Sequence, residues 1–192
     1  MSLDPYNELR KPDNVVFMDA TRLRTATIMQ PQYRNRHHFM IFGGFLLKQT
    51  FELAFTTAAA FAHARPTFVS LDPSTFQNPV PVGSILYLTA TVVYTDPPLI
   101  DAPGEKPNAD SEYTSVQIRV DSKVRDVEHG HSKPTGQFNY TFTVPKNVRV
   151  MPQTYQEFMY YIDARRRAEQ VKRTLDEGFG VSPKTAEESL TE

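Results

Sequence analysis

The longest apolar pattern in the chain predicts a helix. No Pro or Gly occurs between Phe45 and Ala62, and the segment is rich in good helix formers. At about 100° per residue, most of its circumference is Phe, Leu or Ala. The remaining polar stripe consists of Lys48, Gln49, Glu52, Thr56 and His63. We therefore predict a central helix over about residues 44–63 that other parts of the fold cover on most sides.

Runs of β-branched and alternating residues predict strands on both sides of this helix. The segments are Leu23–Met29, Phe68–Leu71 with Thr75–Phe76, Ile85–Thr95, Tyr113–Asp126 and the run from Phe138 to Val144. In the fourth of them, Val116, Ile118, Val120 and Val124 share one face. The strands are half polar, which is typical of antiparallel sheets with one wet face. The pattern predicts an α+β fold, and the exposed edges of one sheet favour pairing of two units.

The end of the chain predicts a second helix. Thr154 and Glu157 have the spacing of a capping box. The apolar stripe predicted for this helix is Tyr155, Phe158, Met159 and Ile162. We expect one domain over residues 14–173, a leader over 1–13 and a disordered polar tail over 174–192. The segments 96–110, rich in Pro, and 127–136 are predicted to be a mobile loop and a turn.

Composition excludes several classes of protein. With 192 residues and 40% hydrophobic residues, the chain has enough apolar material for one core. The net charge of −1 argues against nucleic acid as a partner. The absence of cysteine excludes a disulfide scaffold, a thiolate metal site and a cysteine nucleophile. No signal peptide or transmembrane run is recognisable, so we expect no membrane span.

Two glycines mark the start of the central helix. The first N–H groups of a helix have no intrahelical partner and carry partial positive charge. Gly43 and Gly44 let a ligand approach that backbone closely, so this position is suited to polarising a carbonyl oxygen. The alternative is that the pair only forms a tight turn into the helix.

Few other side chains suggest chemistry. Glu52 is a candidate general base, because a carboxylate on a mostly buried helix has a raised pKa. Its alternative role is an ion pair with Lys48, four residues earlier. The histidine pairs at 37–38 and 129–131 lie in polar loops without acidic residues at ligand spacing, so we expect solvated loop histidines and no metal.

Several motifs, in this order, resemble those of the hotdog-fold acyl-CoA thioesterases. The closest resemblance is to the carboxy-terminal hotdog of the two-hotdog mitochondrial acyl-CoA thioesterases. It covers roughly residues 14–167. The motifs are Asn35 followed by Ile41-Phe-Gly-Gly-Phe-Leu-Leu, then Glu52-Leu-Ala, Phe76-Gln-Asn-Pro-Val-Pro-Val-Gly-Ser, and Thr154-Tyr-Gln-Glu.

The resemblance implies roles for particular residues. A backbone N–H at Gly43 or Gly44 would hold the thioester carbonyl, and Asn35 would position the attacking water, although an Asn here is also a common loop cap. The family's aspartate, eight residues after the first glycine, corresponds to Phe51 in this chain. We therefore expect a second hotdog unit to supply it, because Glu52 points about 100° away.

Further residues are implied to contact substrate. The substrate-binding candidates are Gly43, Phe51, Phe76, Val82 and Gly83. Arg34 and Arg36 are candidates for the CoA phosphates, against the alternative of an exposed basic loop. The implied fold is a hotdog, in which a long helix is wrapped by a curved antiparallel sheet. No cofactor is expected, since CoA is part of the substrate.

The expected function is hydrolysis of fatty acyl-CoA to fatty acid and CoA, in mitochondria, by a homo-oligomer of hotdog units or by pairing with an upstream hotdog. The main alternative is a non-catalytic hotdog that binds acyl-CoA or serves as a dimerisation scaffold. Phe51 favours that alternative. A hotdog dehydratase would need a central histidine, and His63 lies at the far end of the helix.

Overall fold

A five-stranded antiparallel sheet and a long helix packed on it make up the core of the structure. The computed structural model describes residues 12–36, 40–74, 76–98 and 112–179, with side chains up to residue 173. The strands are β1 (Val15–Phe17), β2 (Leu23–Ile28), β3 (Thr67–Leu71), β4 (Ile85–Asp96), β5 (Thr114–Arg125), β6 (Ser132–Val144) and β7 (Arg149–Met151). The helices are α1 (Gly43–Ala62) and α2 (Tyr155–Phe179), with short 3₁₀ helices at Asp19–Thr21 and Pro31–Tyr33.

The strand order of the main sheet is β2-β4-β5-β6-β3, and every neighbouring pair is antiparallel. Strands β1 and β7 form a separate parallel pair. The predicted α+β fold is thus confirmed. The edge strands β2 and β3 are mostly exposed, and Phe68 and Val69 on β3 leave apolar surface in solvent.

Helix α1 lies across one face of the sheet and packs on β4, β5 and β6. Its buried side recurs at helical spacing and consists of Leu46, Thr50, Leu53, Ala54, Thr57, Ala58, Phe61 and Ala62. The predicted polar stripe is confirmed on the opposite side, where Lys48, Glu52 and Thr56 are exposed. His63 ends the helix in the left-handed conformation, with φ of 49°.

Strand β5 buries the face that alternation predicted. Val116, Ile118, Val120 and Val124 are all buried in the core. On its other face Gln117 is also buried, at the point where the β4–β5 register shifts. Strand β6 begins at Ser132, so the predicted turn over 127–136 is too long. Residues Ser132–Gly136 are already part of this strand and pair with β5.

The capping box of α2 is confirmed by its hydrogen bonds. The N–H of Glu157 donates to Thr154 Oγ1 (3.2 Å), and the N–H of Thr154 donates to Glu157 Oε2 (3.1 Å). The helix runs to Phe179, so the tail boundary predicted at residue 173 is too early. Residues 180–192, most of the predicted leader and most of the predicted loop over 96–110 lie outside the described residues.

The predicted apolar stripe of α2 is not the buried face of that helix. The side chains of the predicted stripe that face solvent are Tyr155, Phe158 and Met159. Tyr161 and Ala164 are buried instead, and the Tyr161 ring packs edge-on against Tyr94 of β4, with centroids 5.2 Å apart. Small and amphipathic side chains therefore form the contact with the sheet. No helix in the described part of the chain is long and apolar enough to cross a membrane.

Candidate active site

The amino end of α1 presents two backbone donors. Phe42 is the N-cap residue, and its side chain has no capping group. The N–H groups of Phe45 and Leu46 donate to the Phe42 carbonyl (3.0 and 3.3 Å). Within the described part of the chain, the N–H groups of Gly43 and Gly44 have no acceptor. These two N–H groups, at the positive end of the helix dipole, can therefore donate hydrogen bonds to an oxygen atom of a ligand.

Asn35 is held beside this helix end by backbone hydrogen bonds. Its N–H donates to the Met40 carbonyl (2.7 Å), and the N–H of Phe42 donates to the Tyr33 carbonyl (2.8 Å). The Tyr33 ring stacks on Phe45 of the first helical turn, with centroids 3.9 Å apart. The segment before the helix thus folds back on the helix start, and Asn35 is positioned by neighbours on both sides.

A cavity of about 330 Å³ opens at this helix end. Its walls include three of the predicted site residues, namely Asn35, Gly43 and Phe76. The other residues that line it are Met40, Ile41, Leu46, Gln77, Asn78, Pro79 and Val80. We call this the mouth cavity. The cavity lies between residues 35–46 and residues 76–80. A hydrogen bond joins these two segments, in which the N–H of Ile41 donates to the Val80 carbonyl (2.8 Å).

Aromatic rings cover both glycines of the helix start. A Cβ atom on Gly43 would lie 3.3 Å from Cε2 of Phe76, and one on Gly44 would lie 2.5 Å from Cε1 of Phe42. The Phe76 ring also packs edge-on against Phe138 of β6, with centroids 5.5 Å apart. Glycine at position 43 therefore allows the Phe76 ring to contact the helix backbone directly.

Comparison with known proteins finds related sequences and related folds. The chain is 35% identical over 175 residues to human mitochondrial acyl-coenzyme A thioesterase 9, a match that covers 90% of this chain and 36% of the relative. An acyl-CoA hydrolase from Staphylococcus aureus, solved with butyryl coenzyme A and coenzyme A, superposes with a TM-score of 0.69 at 26% identity, covering 85% of this chain and 94% of that one. The chain is a hotdog-fold relative of the acyl-CoA thioesterases.

The same fold recurs in a hexameric acyl-CoA thioesterase. Its structure without ligand superposes with a TM-score of 0.71 at 24% identity, covering 84% of this chain and 97% of that one. No model of a protein family matches the chain. The hotdog unit described here spans little more than a third of the first of these acyl-CoA thioesterases.

Glu52 lies outside the mouth cavity of this hotdog. It is two helical turns beyond Gly44, which corresponds to about 12 Å along the axis. Its Oε1 pairs with Lys48 Nζ (3.1 Å), Gln49 Nε2 donates to its Oε2 (3.4 Å), and its side chain is 52% exposed. Glu52 therefore lies on the exposed polar stripe, and the structure shows the alternative ion pair with Lys48. The role of Glu52 as a base stays a prediction.

Phe51 packs between α1 and the sheet. Its ring centroid lies 5.4 Å from Phe68, 5.9 Å from Tyr140 and 6.0 Å from Phe142. Tyr140 Oη is also 2.8 Å from Thr50 Oγ1, and burial raises the pKa of Tyr140, so this phenol stays protonated. Phe51, where the resemblance implies an aspartate, is thus part of an aromatic cluster in this hotdog.

Val82 and Gly83 belong to a turn and do not line the mouth cavity. Gly83 has a φ of +83°, a conformation that favours glycine, and its N–H donates to the Met29 carbonyl (2.8 Å). Their substrate contacts stay a prediction. Val80 and Gln77 line the cavity instead, and were not predicted as site residues. Both lie inside the motif of residues 76–84, but a single sequence does not show which of its side chains turn inward.

The charged and histidine candidates lie at the surface. Arg34 and Arg36 flank Asn35, and both are exposed. His37 and His38 lie outside the described residues. His129 is exposed and its Nδ1 lies 3.2 Å from Asp126 Oδ2. Among the described residues, no three His, Asp or Glu side chains are grouped so as to hold a metal ion.

Proposed function

We propose that this chain is one hotdog unit of an acyl-CoA thioesterase, which hydrolyses fatty acyl-CoA to the fatty acid and CoA. The observation that carries the proposal is the pair of N–H groups at Gly43 and Gly44 without an acceptor among the described residues, of which Gly43 lines a largely apolar cavity together with Asn35 and Gly44 follows it in the helix. An acyl thioester has a carbonyl oxygen for those donors and an apolar chain for the cavity walls. The names of its relatives support the same reaction.

The reaction follows from these groups. The thioester oxygen accepts hydrogen bonds from the N–H groups at the helix start, which makes the carbonyl carbon more electrophilic. The carboxamide of Asn35 orients a water molecule, whose oxygen attacks that carbon. The resulting oxyanion is held by the same two donors. The carbon–sulfur bond then breaks, and the CoA thiolate leaves and takes up the proton that a general base has removed from the water.

In one chain, none of the described residues that line the mouth cavity can act as the general base of this reaction. None of them is Asp or Glu, and Glu52 lies too far along the helix. We therefore include a second hotdog unit in the proposal, which places a carboxylate against the mouth cavity. That unit is either another copy of this chain or a second hotdog in a longer chain. The exposed β3 edge with Phe68 and Val69 supports pairing, as does the hexameric neighbour.

A second candidate function is binding of acyl-CoA without hydrolysis. None of the described residues that line the mouth cavity is a carboxylate, and Phe51 lies in an aromatic environment; both observations favour it. In that case the helix start still holds the thioester carbonyl, but no group activates water.

The two functions are separated by measuring both hydrolysis and binding. We expect the chain to bind decanoyl-CoA in calorimetry, and the chain together with its second hotdog unit to release free CoA. Asn35→Ala should lower kcat by about 100-fold or more with little change in affinity. The matched control is Gln49→Ala, which removes a carboxamide from the exposed side of α1. Binding without release of CoA above the uncatalysed rate, in the wild type and in mixtures with a second hotdog unit, would establish the binding function and reject hydrolysis.

We infer a mitochondrial location from the names of several relatives. The proposed reaction uses water and needs no cofactor. Fractionation of cells that express the tagged full-length protein tests the location. Activity measured after treatment with a chelator tests whether the reaction needs a metal cofactor, and we expect it to be unchanged.

A further inference from the structure

The outer face of the main sheet carries a second and larger cavity. It measures about 840 Å³ and lies on the side of the sheet opposite α1. Its floor is a polar row in register across four strands, formed by Arg24, Thr89, Asp121 and Gln137. The start of α2 forms one wall, including Tyr160. We call this cavity the outer groove.

All three carboxylates that line the outer groove are already occupied. Asp19 pairs with Arg22 (2.8 Å), and Asp121 pairs with Arg119 (2.8 Å). The carboxylate of Glu157 accepts the N–H groups that precede α2. The described basic side chains that line the groove are Arg22, Arg24, Arg119 and Lys123, so the three carboxylates leave one positive charge in excess.

Two cations remain without a carboxylate partner. Arg24 on β2 and Lys123 on β5 are exposed, line the groove and form no ion pair with the described residues. Lys123 Nζ lies 5.6 Å from the centroid of the Tyr87 ring, a contact that leaves its hydrogen-bond donors available. The groove thus carries an excess of positive charge on a chain whose net charge is −1, and it suits an anionic ligand.

The outer groove and the mouth cavity share one of the described residues. Gln77 lines both of them. Its segment is fixed to β6, because its N–H donates to the Thr135 carbonyl (2.9 Å) and Asn78 Nδ2 donates to the Pro134 carbonyl (2.7 Å). Gln77 therefore borders both a site suited to a thioester and a site suited to an anion.

We propose that the outer groove binds the phosphates of the nucleotide end of the CoA thioester, with Arg24 and Lys123 as their ligands. The inference rests on the proposed function, since CoA joins a thioester to a phosphorylated nucleotide through a long flexible arm. With the carbonyl at Gly43, the arm passes over Gln77 and the phosphates reach the groove. Arg34 and Arg36, which flank Asn35 and line neither cavity, are not needed as phosphate ligands in this arrangement.

The first test is direct binding of adenosine 3′,5′-bisphosphate, measured by calorimetry. We expect wild-type chain to bind it, and Arg24→Gln and Lys123→Gln each to weaken binding about tenfold, since each removes a charge-assisted hydrogen bond. Raising the salt concentration should weaken binding further. The matched control is Lys133→Gln, which removes one exposed positive charge from β6 outside the groove and should change the affinity less than twofold.

Three results would overturn the inference. They are no binding of the bisphosphate by wild-type protein, unchanged binding by the Arg24→Gln/Lys123→Gln double variant, and loss of binding caused instead by Arg34→Gln or Arg36→Gln. All four substitutions are at exposed positions, so we expect folded proteins that can be compared directly.

A second test separates this inference from the proposed function. Hydrolysis of decanoyl-CoA is compared with hydrolysis of decanoyl-pantetheine, which lacks the nucleotide. We expect the double variant to show at least a tenfold higher KM for the CoA ester, with kcat unchanged, and no change for the pantetheine ester. If neither ester is hydrolysed while the bisphosphate binds through Arg24 and Lys123, only the proposed hydrolysis fails. If both are hydrolysed with the same KM in wild type and double variant, only the groove assignment fails.

Discussion

The ring of Phe51 meets the ring of Phe68 edge-on, with centroids 5.4 Å apart and an interplanar angle of 80°. One ring comes from the middle of α1 and the other from the edge strand β3. The contact ties the helix to the strand that we expect to lie nearest a second hotdog unit. It also means that Phe51, where the resemblance implies an aspartate, supports the fold of this chain.

Replacing Phe51 by Asp should therefore destabilise the protein. The residue-by-residue resemblance alone suggests a gain of activity from Phe51→Asp, but the carboxylate would lie among Phe55, Phe68 and Phe142. We expect a loss of about 3 kcal/mol in the free energy of unfolding, from lost packing and an unpaired charge. Urea unfolding measures it. Ala60→Asp, which places the same side chain on the exposed side of α1, should cost less than about 1 kcal/mol. Equal losses in the two variants would contradict the packing argument.

Glu52→Gln should leave hydrolysis unchanged where a hotdog of different sequence supplies the carboxylate. Glu52 is exposed and pairs with Lys48, so the substitution removes only a surface ion pair worth about 0.5 kcal/mol or less. Lys48→Gln should have the same small effect on stability. If Glu52 is the general base, kcat would instead fall by about 100-fold to 10,000-fold in Glu52→Gln alone. Steady-state kinetics of both variants decides between these outcomes.

The periodicity of the sequence predicted α1 better than α2, for a physical reason. In α1 the polar stripe is narrow, so only one side can face solvent, and Lys48 and Glu52 mark it. In α2 apolar and polar residues are evenly mixed. Tyr161 is buried because Tyr94 on β4 offers a ring to pack against, whereas Tyr155 stays 79% exposed. Which side of such a helix is buried depends on its partner, which a local pattern does not contain.

The candidate site was predicted in part for a similar reason. Asn35 and Gly43 lie close in the chain, and the resemblance places Phe76 beside them. The structure brings all three to one cavity. Gln77 and the outer-groove cations Arg24 and Lys123 were not predicted. They come together only through the order of β2, β4 and β5 and through the attachment of residues 77–78 to β6.

The turn between β5 and β6 should make stability depend on pH through Asp126. Its carboxylate accepts the N–H groups of Glu128 and His129, and these hydrogen bonds hold its pKa below the ordinary value of 3.8. A lowered pKa in the folded state stabilises the protein above the unfolded-state pKa, and this stabilisation is lost as pH falls through the folded-state value.

Asp126→Ala should therefore have a lower Tm than wild type at neutral pH, and the difference should shrink as the pH falls below 3.8. Thermal unfolding followed by circular dichroism at several pH values measures it. Glu128→Ala, in the same turn, should show no such pH-dependent difference. A constant difference in Tm across the acidic range would refute the role of the Asp126 carboxylate.

The contact between Gly43 and Phe76 should couple these two residues in substrate binding. Gly43→Ala keeps the backbone N–H and improves helix propensity, so it leaves the donor in place. The new methyl group would lie 3.3 Å from the Phe76 ring, which is closer than an ordinary contact, so the ring must shift at the mouth cavity. We expect Gly43→Ala to weaken binding of decanoyl-CoA about tenfold without lowering the free energy of unfolding.

A double-mutant cycle with Phe76→Ala tests this explanation. In Gly43→Ala/Phe76→Ala the clash is absent, so adding Gly43→Ala to Phe76→Ala should have little further effect. The coupling from this double-mutant cycle should be about 1.4 kcal/mol, the equivalent of the tenfold effect, measured by calorimetry on all four proteins. Additive effects of the two substitutions would mean that Gly43 acts on the substrate directly and that Phe76 does not determine access to the helix start.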